Sequence, residues 1–424
     1  MDPINNVFNI PLELWTKIFT YLPRRDRFVC MCVCPRWREA MDVPSLWKHM
    51  IVRLDTDFFE VSTIQLTIEF CKYIKSLELR FEYSDEPIQW INHKMLDITK
   101  RTYRFLSIFV NKNRQIKKLI FNNFCVFYKA KKILYYLTMF LRSQCKIRVI
   151  SFNGSFFTKK SFIKLLTSSL STNNKSIEYL DMQNCYCESE YLTMPNQFNV
   201  LASQLIICIT SIEHLLVLRI DFQSMINNNV LNGILNHGCK HLEHLDIRIA
   251  DHDLINVSNS KLYHNSIWLN LKKKLPFLKV SMIFYNIVYE YSCIDNILTR
   301  SIPLFSIAWV SDGFLLKDVV QNSFRKYSNS IEFVKLVMKE YYLNEFIQFA
   351  VQECPKLRWM ELSGRIFNVR GLQQYLLEAN FRGFKNFDIY VRSIEQSDEI
   401  TISCDRVFKS SVKRSLLSNC GGCN

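Results

Sequence analysis

Residues 10–50 read IPLELWTKIFTYLPRRDRFVCMCVCPRWREAMDVPSLWKHM, and this stretch decides the fold of the first part of the chain. Pro23, Pro35 and Pro44 divide it into short segments, because proline ends one helix or begins the next. In the first segment, the i, i+3, i+4, i+7 spacing of one apolar helical face is formed by Trp15, Ile18, Phe19 and Leu22. The pattern predicts three closely spaced helices.

A unit of this size is too small to be stable by itself. About forty residues bury too little apolar surface for an independent core. The apolar stripe is therefore expected to be covered, either by a partner protein or by the domain that follows in the same chain. Trp15 and Trp47 can also pack inward on that following domain.

The order of residues in this stretch resembles the F-box. The matching elements, in chain order, are Leu12-Glu13-Leu14, Ile18-Phe19, Tyr21-Leu22-Pro23, Asp26, Val33-Cys34, Trp37 and the run from Pro44 to Trp47. There are two departures. Ile10-Pro11-Leu12 replaces the usual Leu-Pro order at the start, and Phe28 and Cys30 stand where small aliphatic residues are common. Neither departure breaks the hydrophobic pattern.

The resemblance implies a function for this module. F-box segments bind the Skp adaptor and thereby join the cullin and RING subunits of an SCF-type ubiquitin ligase. In such an assembly the F-box chain selects a protein substrate and other subunits catalyse ubiquitin transfer, so this chain is not expected to be an enzyme. Carried over by position, the adaptor-facing side chains are Pro11, Leu12, Leu14, Ile18, Phe19, Leu22, Val33, Cys34 and Trp37.

A second pattern recurs along the rest of the chain. It consists of an aliphatic residue, two intervening positions, an apolar residue, one intervening position and a third apolar residue. Recurrence at such intervals is typical of solenoid proteins, in which each copy supplies one short strand. The eleven copies span residues 74–79, 116–121, 147–152, 177–182, 212–217, 242–247, 275–280, 302–307, 331–336, 357–362 and 384–389.

The segments between these copies have helical periodicity, with apolar faces at Ile133, Leu134, Leu137, Phe140 and Leu141 and at Phe162, Leu165, Leu166 and Leu170. The strings CKHLEHLDI (239–247) and CPKLRWMEL (354–362) resemble cysteine-containing leucine-rich repeats, which often follow an F-box. Cys71 and Cys145 precede two other copies, but the Asn or Cys expected after each strand is present only at Cys185. An ordinary α/β domain whose strands share an apolar pattern is the alternative.

The expected fold class is α/β, with three parts. A three-helix F-box occupies residues 8–50. An irregular leucine-rich-repeat solenoid of about eleven repeats follows at residues 51–403, with one strand and one helix per repeat and a parallel sheet on its concave side. Residues 404–424 are expected to form a C-terminal cap or a flexible tail.

The alternation of side chains along a strand predicts which residues line the concave side. These residues occupy the positions between the buried aliphatics, and we expect them to bind the protein substrate. They make this side aromatic and mildly acidic, and they are Glu78, Tyr179, Asp181, His214, His244, Asp246, Phe277, Phe333, Trp359, Glu361 and Asp388.

Composition limits the class of protein. Hydrophobic residues make up 49% of the chain and charged residues 22%, which is globular rather than disordered composition. The sequence has no apolar run long enough for a membrane span and no signal-peptide pattern, so a cytoplasmic or nuclear location is expected. The 15 cysteines are odd in number and scattered, which favours free thiols. The net charge of +15 favours acidic partners, with nucleic acid or chromatin as the less favoured class.

No sequence motif for catalysis, a cofactor or a metal site is convincing. The chain lacks a Gly-rich phosphate loop, a GxSxG nucleophile motif and an HExxH zinc motif. His237, Cys239, His241 and His244 cluster locally, but the last two flank buried leucines, so we expect no zinc site. Cys420 and Cys423 form one isolated CxxC pair. The remaining alternatives are a scaffold that binds the adaptor without promoting ubiquitination, and a nucleic-acid-associated protein.

Overall fold

The structure is a computed structural model, and the described part of the chain falls into two compact units. The first unit runs to Leu216 and includes His237–His241, and the second holds Val217–Asn236 and the residues from Leu242 onward. The residues described are 10–82, 88–124, 131–155, 157–185, 195–227, 229–250, 265–287, 294, 297–311, 317–342, 344–365, 387–393, 399–404 and 413–414.

The first unit begins with four helices, α1 (Leu12–Thr20), α2 (Arg24–Met31), α3 (Pro35–Met41) and α4 (Pro44–Trp47). Helices α3 and α4 both start with proline, whose missing N–H is not needed in a first helical turn. The residues before them, Cys34 and Val43, are extended, as expected before proline. The three predicted helices are therefore present, and α4 adds a short fourth.

Strands and helices then alternate in the first unit. Each strand pairs in parallel with the next, from β1 to β5. The elements are β1 (His49–Arg53), α5 (Val61–Phe70), β2 (Ser76–Arg80), α6 (Ile88–Lys112), β3 (Lys118–Asn122), α7 (Lys131–Ser143), β4 (Val149–Ser151), α8 (Lys159–Asn173), β5 (Tyr179–Asp181) and α9 (Pro195–Thr210). The predicted α/β architecture is confirmed.

The second unit continues the same alternation in its own sheet segment, where β6 to β12 pair in parallel. Its last two strands instead pair antiparallel, so the repeating pattern ends at β12. The elements are β6 (Val217–Asp221), α10 (Phe222–Asn227), α11 (Val230–His237), β7 (His244–Ala250), α12 (Asn265–Lys274), β8 (Lys279–Tyr285), β9 (Leu304–Ser311), α13 (Lys317–Tyr327), β10 (Phe333–Tyr342), α14 (Asn344–Glu353), β11 (Trp359–Arg365), β12 (Phe387–Ser393), β13 (Glu399–Cys404) and β14 (Lys413–Arg414).

Strand β1 was not predicted, and it spans the expected boundary between the first two parts. The expected boundary at residue 50 falls inside β1, which pairs in register with β2. Buried Met50 and Val52 lie opposite Leu77 and Leu79. The first repeat therefore begins directly after α4, without a linker. The predicted tail at residues 404–424 lies outside the described residues except for Cys404 and β14.

In β2, β3, β7, β10 and β11 the predicted copy is correctly placed along the chain. The second and third apolar residues of each copy are the first two buried residues of the strand. Two copies are displaced. Strand β6 begins at Val217 and β8 at Lys279, so the predicted segments 212–217 and 275–280 mostly precede their strands. The turn residues there, such as Leu215 and Leu278, are themselves buried, and their apolar spacing imitates that of a strand.

The turns that follow β3, β4 and β5 share one feature. Asn123, Gly154 and Asn184 have positive φ values of 52°, 67° and 52°. Glycine and asparagine adopt this left-handed conformation more readily than other residues. These turns are linked, because the Asn123 N–H donates to the Asn153 carbonyl and the Gly154 N–H to the Gln183 carbonyl.

Replacing Gly154 by alanine is expected to lower the free energy of unfolding by about 2 kcal/mol. Its φ of +67° is strained for alanine, and the added Cβ would lie 2.5 Å from Asn123 Oδ1. Urea unfolding of the purified chain measures the change. In an Asn123→Gly background the cost of Gly154→Ala is expected to fall to about 1 kcal/mol, since the side-chain contact is gone and only the backbone strain and the 3.2 Å approach to the backbone nitrogen of residue 123 remain. An equal cost in both backgrounds would contradict the close contact.

Buried polar side chains connect the ends of successive helices in the first unit. The Asn113 side chain donates to the carbonyls of Cys71 and Ile74, and Gln144 Nε2 donates to the Asn113 carbonyl. Asn173 continues the series by donating to the Gln144 carbonyl. The cysteine predicted to introduce the copy at 147–152, Cys145, is exposed, and the inward position belongs to Gln144. An amide satisfies buried backbone groups there that a thiol would leave without strong partners.

Candidate functional site

The core of the helical module is built from aromatic rings. Trp15 lies 5.7 Å from Phe19 and 4.9 Å from Trp37 between ring centroids, and Phe19 meets Trp37 edge-on at 5.6 Å. Met31 and Met41 complete this buried cluster. Phe19 is only 1% exposed. The prediction that Phe19 faces a partner is therefore wrong, because its ring is used to hold α1 against α3.

One arginine joins the ends of three helices. The guanidinium of Arg27 on α2 donates hydrogen bonds to four backbone carbonyls, two at the end of α1, one in the turn after it and one in α4. The acceptors are Phe19 and Thr20, Leu22 and Leu46, at distances of 2.5 to 3.0 Å. Burial lowers the pKa of Arg27 below its ordinary value. The Phe19 carbonyl also accepts from the Leu22 N–H, whereas the guanidinium supplies donors to the carbonyls of Thr20, Leu22 and Leu46 at or near helix ends.

The module packs directly on the first repeat. The Trp47 ring stacks on Phe70 of α5 at 4.3 Å, and its Nε1 donates to the Met41 carbonyl. Arg24 donates to the Ile51 carbonyl on the edge of β1 and forms an ion pair with Asp57 at 2.9 Å. Of the two possibilities for Trp47, a partner or the following domain, the structure shows packing on the following domain. The helices and the first repeat share one core, so the module is held in a fixed position on the first unit.

The outward face of the module is apolar. Leu14 and Ile18 on α1 and Tyr21 directly after it are 52%, 45% and 80% exposed, and their spacing places them on one side of the helix. Val29 and Val33 are also more than half exposed. Monomeric proteins rarely leave several large apolar side chains together in water, so this face indicates an interaction surface. Tyr21 and Val29 were not predicted to face the adaptor, although each stands one helical turn from a residue that was.

The predicted adaptor-facing residues fall into three groups. Pro11, Leu14, Ile18 and Val33 are exposed. Leu12, Leu22, Cys34 and Trp37 are half-buried, and the Leu12, Leu22 and Trp37 side chains pack partly against the module core. Phe19 is buried. The sequence pattern predicted one apolar stripe that contained Trp15, Ile18 and Phe19. In the structure these residues lie on two faces of α1, with Trp15 and Phe19 toward the core and Ile18 toward solvent.

A second candidate surface is the open face of the sheet, which we define as the half-buried side chains that alternate with the buried ones along each strand. Most of the predicted substrate-binding residues lie on it, half-buried on their strands, namely Glu78, Tyr179, His244, Asp246, Phe333, Trp359 and Glu361. The side chain of the predicted residue Asp388 on β12 lies outside the described residues.

Three predicted open-face residues lie elsewhere. Asp181 is buried, where it accepts hydrogen bonds from the Ser151 hydroxyl and the Gln183 N–H at the end of β5. His214 is exposed before β6, and Phe277 is 82% exposed before β8. The tight turn after β5 holds Asp181 inward. His214 and Phe277 lie before their strands because the predicted copies at 212–217 and 275–280 are displaced toward the amino terminus.

Several charged side chains of the open face form ion pairs. Arg219 lies 3.5 Å from Asp246, Arg248 lies 3.6 Å from Asp221, and Lys335 lies 2.7 Å from Glu361. In the first unit Glu78 pairs with Arg80 at 3.0 Å. Cations on the same or the neighbouring strand thus neutralise the predicted carboxylates. The expectation of a mildly acidic face is wrong for the described side chains.

The described ranges also bear on metal binding and on membrane spans. Within those ranges, no group of three or more His, Cys, Asp or Glu side chains is close enough together to hold a metal ion. In the same ranges, no helix combines the length and apolarity needed to cross a bilayer. The CxxC pair at Cys420 and Cys423 lies outside the described residues.

The geometry of the first helices defines a small helical module fused to a parallel α/β repeat array, and comparison with known proteins gives this module a family. Residues 7–53 match the family described as F-box-like, so the chain carries an F-box-like domain. The chain is similar to the human F-box only protein 33, with 31% identity over 78 residues, which are 18% of this chain and 14% of that protein. It is also similar to the mouse F-box/LRR-repeat protein 12, with 40% identity over 50 residues, which are 12% of this chain and 15% of the relative.

Proposed function

We propose that the F-box-like domain binds a Skp adaptor and that the chain is a substrate-recognition subunit of an SCF-type ubiquitin ligase. The observation that supports this most directly is the exposed apolar face of Leu14, Ile18 and Tyr21, joined by Val29 and Val33, within the residues that match the family. Burial of large exposed aliphatic and aromatic anchors is the usual source of affinity at protein interfaces.

The remainder of the chain has the role of presenting a protein substrate. Parallel strands that alternate with helices support leucine-rich repeats, as does the similarity to a mouse protein named for such repeats. The fixed packing of Trp47 and Arg24 on the first repeat suits a receptor that must hold substrate at a set distance from the ligase. Ubiquitin transfer would be catalysed by other subunits, in the cytoplasm or the nucleus.

Truncation of Ile18 to alanine tests the adaptor interface. We expect adaptor affinity to fall by about 2 kcal/mol, or roughly thirty-fold, because an anchor near the centre of an interface is lost. The matched control is Ile68→Ala on α5, because Ile68 is 42% exposed against 45% for Ile18. Titration calorimetry of the full chain with purified Skp adaptor and the cullin amino-terminal domain measures both affinities.

The outcome separates the alternatives. Equal affinities of the two variants would show that the α1 face is not the adaptor site, and an absence of adaptor binding by the wild-type chain would reject the function. A wild-type chain that binds adaptor and cullin but supports no ubiquitination of any co-purified partner would favour the scaffold alternative.

A further inference from the structure

A row of partly exposed rings crosses the open face of the second unit. His244 on β7, Phe305 on β9, Phe333 on β10 and Trp359 on β11 follow one another with centroid distances of 5.6, 5.4 and 6.4 Å. All four side chains are half-buried. We call these four residues the aromatic row. When a partner covers such rings, a large apolar surface area is buried. The loss of side-chain conformational entropy is small, because aromatic side chains have few rotatable bonds.

The row depends on an irregularity in the sheet. Val280 of β8 pairs with Leu304 of β9, whereas the next residue, Ser281, pairs with Ser306. Phe305 is therefore an extra residue of the bulge type. Bulges redirect side chains and are common beside functional sites. Here the bulge turns the Phe305 ring out of the core and places it between His244 and Phe333.

The charged side chains along the row reach solvent unequally. Lys279 lies 5.0 Å from the centre of the Phe305 ring and 3.9 Å from Glu332, and Arg358 lies 3.6 Å from the same carboxylate. The side chains of Lys279 and Arg358 are 46% and 67% exposed, against 20% for Glu332. One partly buried carboxylate is thus shared by two exposed cations.

The same asymmetry holds one strand further, where Lys335 is 41% exposed and its partner Glu361 25%. At the end of the aromatic row formed by His244, the neighbouring Glu243 is exposed and contributes a negative charge. Among the described side chains, the exposed charges beside Phe305, Phe333 and Trp359 are therefore mainly cationic. We call Lys279, Lys335 and Arg358 the rim of the aromatic row.

We propose that the aromatic row binds an extended acidic segment of a protein partner that carries an aromatic or large aliphatic side chain. This deepens the proposed function, on which it rests, by assigning a chemical class to the substrate. The apolar side chain packs on Phe305 and Phe333, and flanking carboxylates pair with Lys279, Lys335 and Arg358. Such pairing combines apolar burial with charge complementarity, which sets specificity and association rate.

Selection from a random dodecamer peptide library displayed on phage tests this inference with the full chain as bait. We expect the enriched peptides to carry net negative charge and at least one aromatic residue or leucine. Phe333→Ala is expected to weaken binding of an enriched synthetic peptide about tenfold or more. Phe277→Ala is the matched control, because it removes an 82% exposed phenylalanine that lies off the sheet, and it should leave the affinity unchanged.

Arg358→Glu provides a second variant that does not alter the apolar packing. It changes the most exposed cation of the rim and is expected to weaken acidic peptides while strengthening basic ones. Enrichment of basic peptides, equal affinity for the Phe333→Ala and Phe277→Ala variants, or no enrichment over an empty support would overturn the inference. Adaptor affinity measured on the same preparation separates this failure from a failure of the proposed function, because the adaptor site lies on α1 and α2.

Discussion

Replacement of Arg27 by methionine is expected to lower the free energy of unfolding of the first unit by about 3 kcal/mol. The Arg27 guanidinium donates to the carbonyls of Phe19, Thr20, Leu22 and Leu46. Methionine preserves much of the aliphatic stem but has no donor. The partly buried carbonyls of Leu22 and Leu46 lose the guanidinium as a partner, while the Phe19 carbonyl keeps the Leu22 N–H. Hydrogen bonds from a charged donor contribute more than neutral ones, which is why this effect should exceed that of an ordinary surface change.

Arg25→Met is the matched control for this prediction. Arg25 lies on the same helix, but its side chain is exposed, so we expect a change within about 0.5 kcal/mol. Arg27→Lys separates charge from geometry. The ammonium keeps the attraction to the negative end of α1, but it cannot reproduce the planar fork of donors, so we expect less than half of the loss to be recovered. Denaturant unfolding followed by tryptophan fluorescence measures all three. Equal midpoints for Arg27→Met and Arg25→Met would contradict the role of Arg27.

The helical module could be predicted well from its sequence because its signals are local. Proline positions and apolar spacing determine where α1 to α3 begin and end, and these elements are found where expected. What the spacing could not separate is the two sides of α1. Trp15, Ile18 and Phe19 are all apolar, and only the positions of α3 and α4 decide that Trp15 and Phe19 face inward while Ile18 faces solvent.

The strands of the repeats were found from their spacing, but the register of several was not. A parallel sheet flanked by helices also buries residues in the turns before its strands, such as Ile212 and Leu275. An apolar pattern therefore fits two positions equally well, and pairing with the neighbouring strand makes the choice. Phe305 illustrates the consequence, because a bulge that depends on the pairing of β8 with β9 exposes a residue the pattern predicts to be buried.

The charge of the open face was also set by three-dimensional neighbours. Glu361 and Asp246 were recognised as outward-facing carboxylates, and both are found there. Their partners Lys335 and Arg219 come from the adjacent strands, across more than twenty residues of sequence. The positive-φ turns at Asn123 and Asn184 did leave a sequence signal, since asparagine and glycine recur after successive strands.

Asp57→Asn is expected to destabilise the first unit by about 3 kcal/mol. The Asp57 carboxylate is buried, and it accepts from Arg24 Nη2 at 2.9 Å, from the Arg53 N–H at 2.9 Å and from the Arg53 guanidinium at 3.1 Å. The amide removes the negative charge and turns one acceptor into a donor that faces an arginine. Because Arg24 belongs to the F-box-like domain and Asp57 to the first repeat, the loss should be non-additive with Arg24→Met in a double-mutant cycle.

Asp55→Asn, two positions earlier, is the matched control and should not destabilise the first unit. Burial is the main cause that raises the pKa of Asp55, and its Oδ1 accepts no hydrogen bond from the described residues. Removing this charge at pH 7 is therefore expected to be neutral or to stabilise by about 1 kcal/mol at most.

The effect of Asp55→Asn should depend on pH. A raised carboxyl pKa means that the folded state binds the proton more tightly than the unfolded state. The free-energy cost of burying the ionised Asp55 carboxylate in the wild-type chain therefore shrinks as pH falls through the folded pKa. The pH dependence of each stability change is measured from urea unfolding midpoints at about pH 4 to about pH 8, a range that covers the ordinary carboxyl and histidine pKa values. The gain from Asp55→Asn should fade toward the acidic end, and a loss at pH 7 as large as that of Asp57→Asn would show that the two carboxylates have equivalent partners.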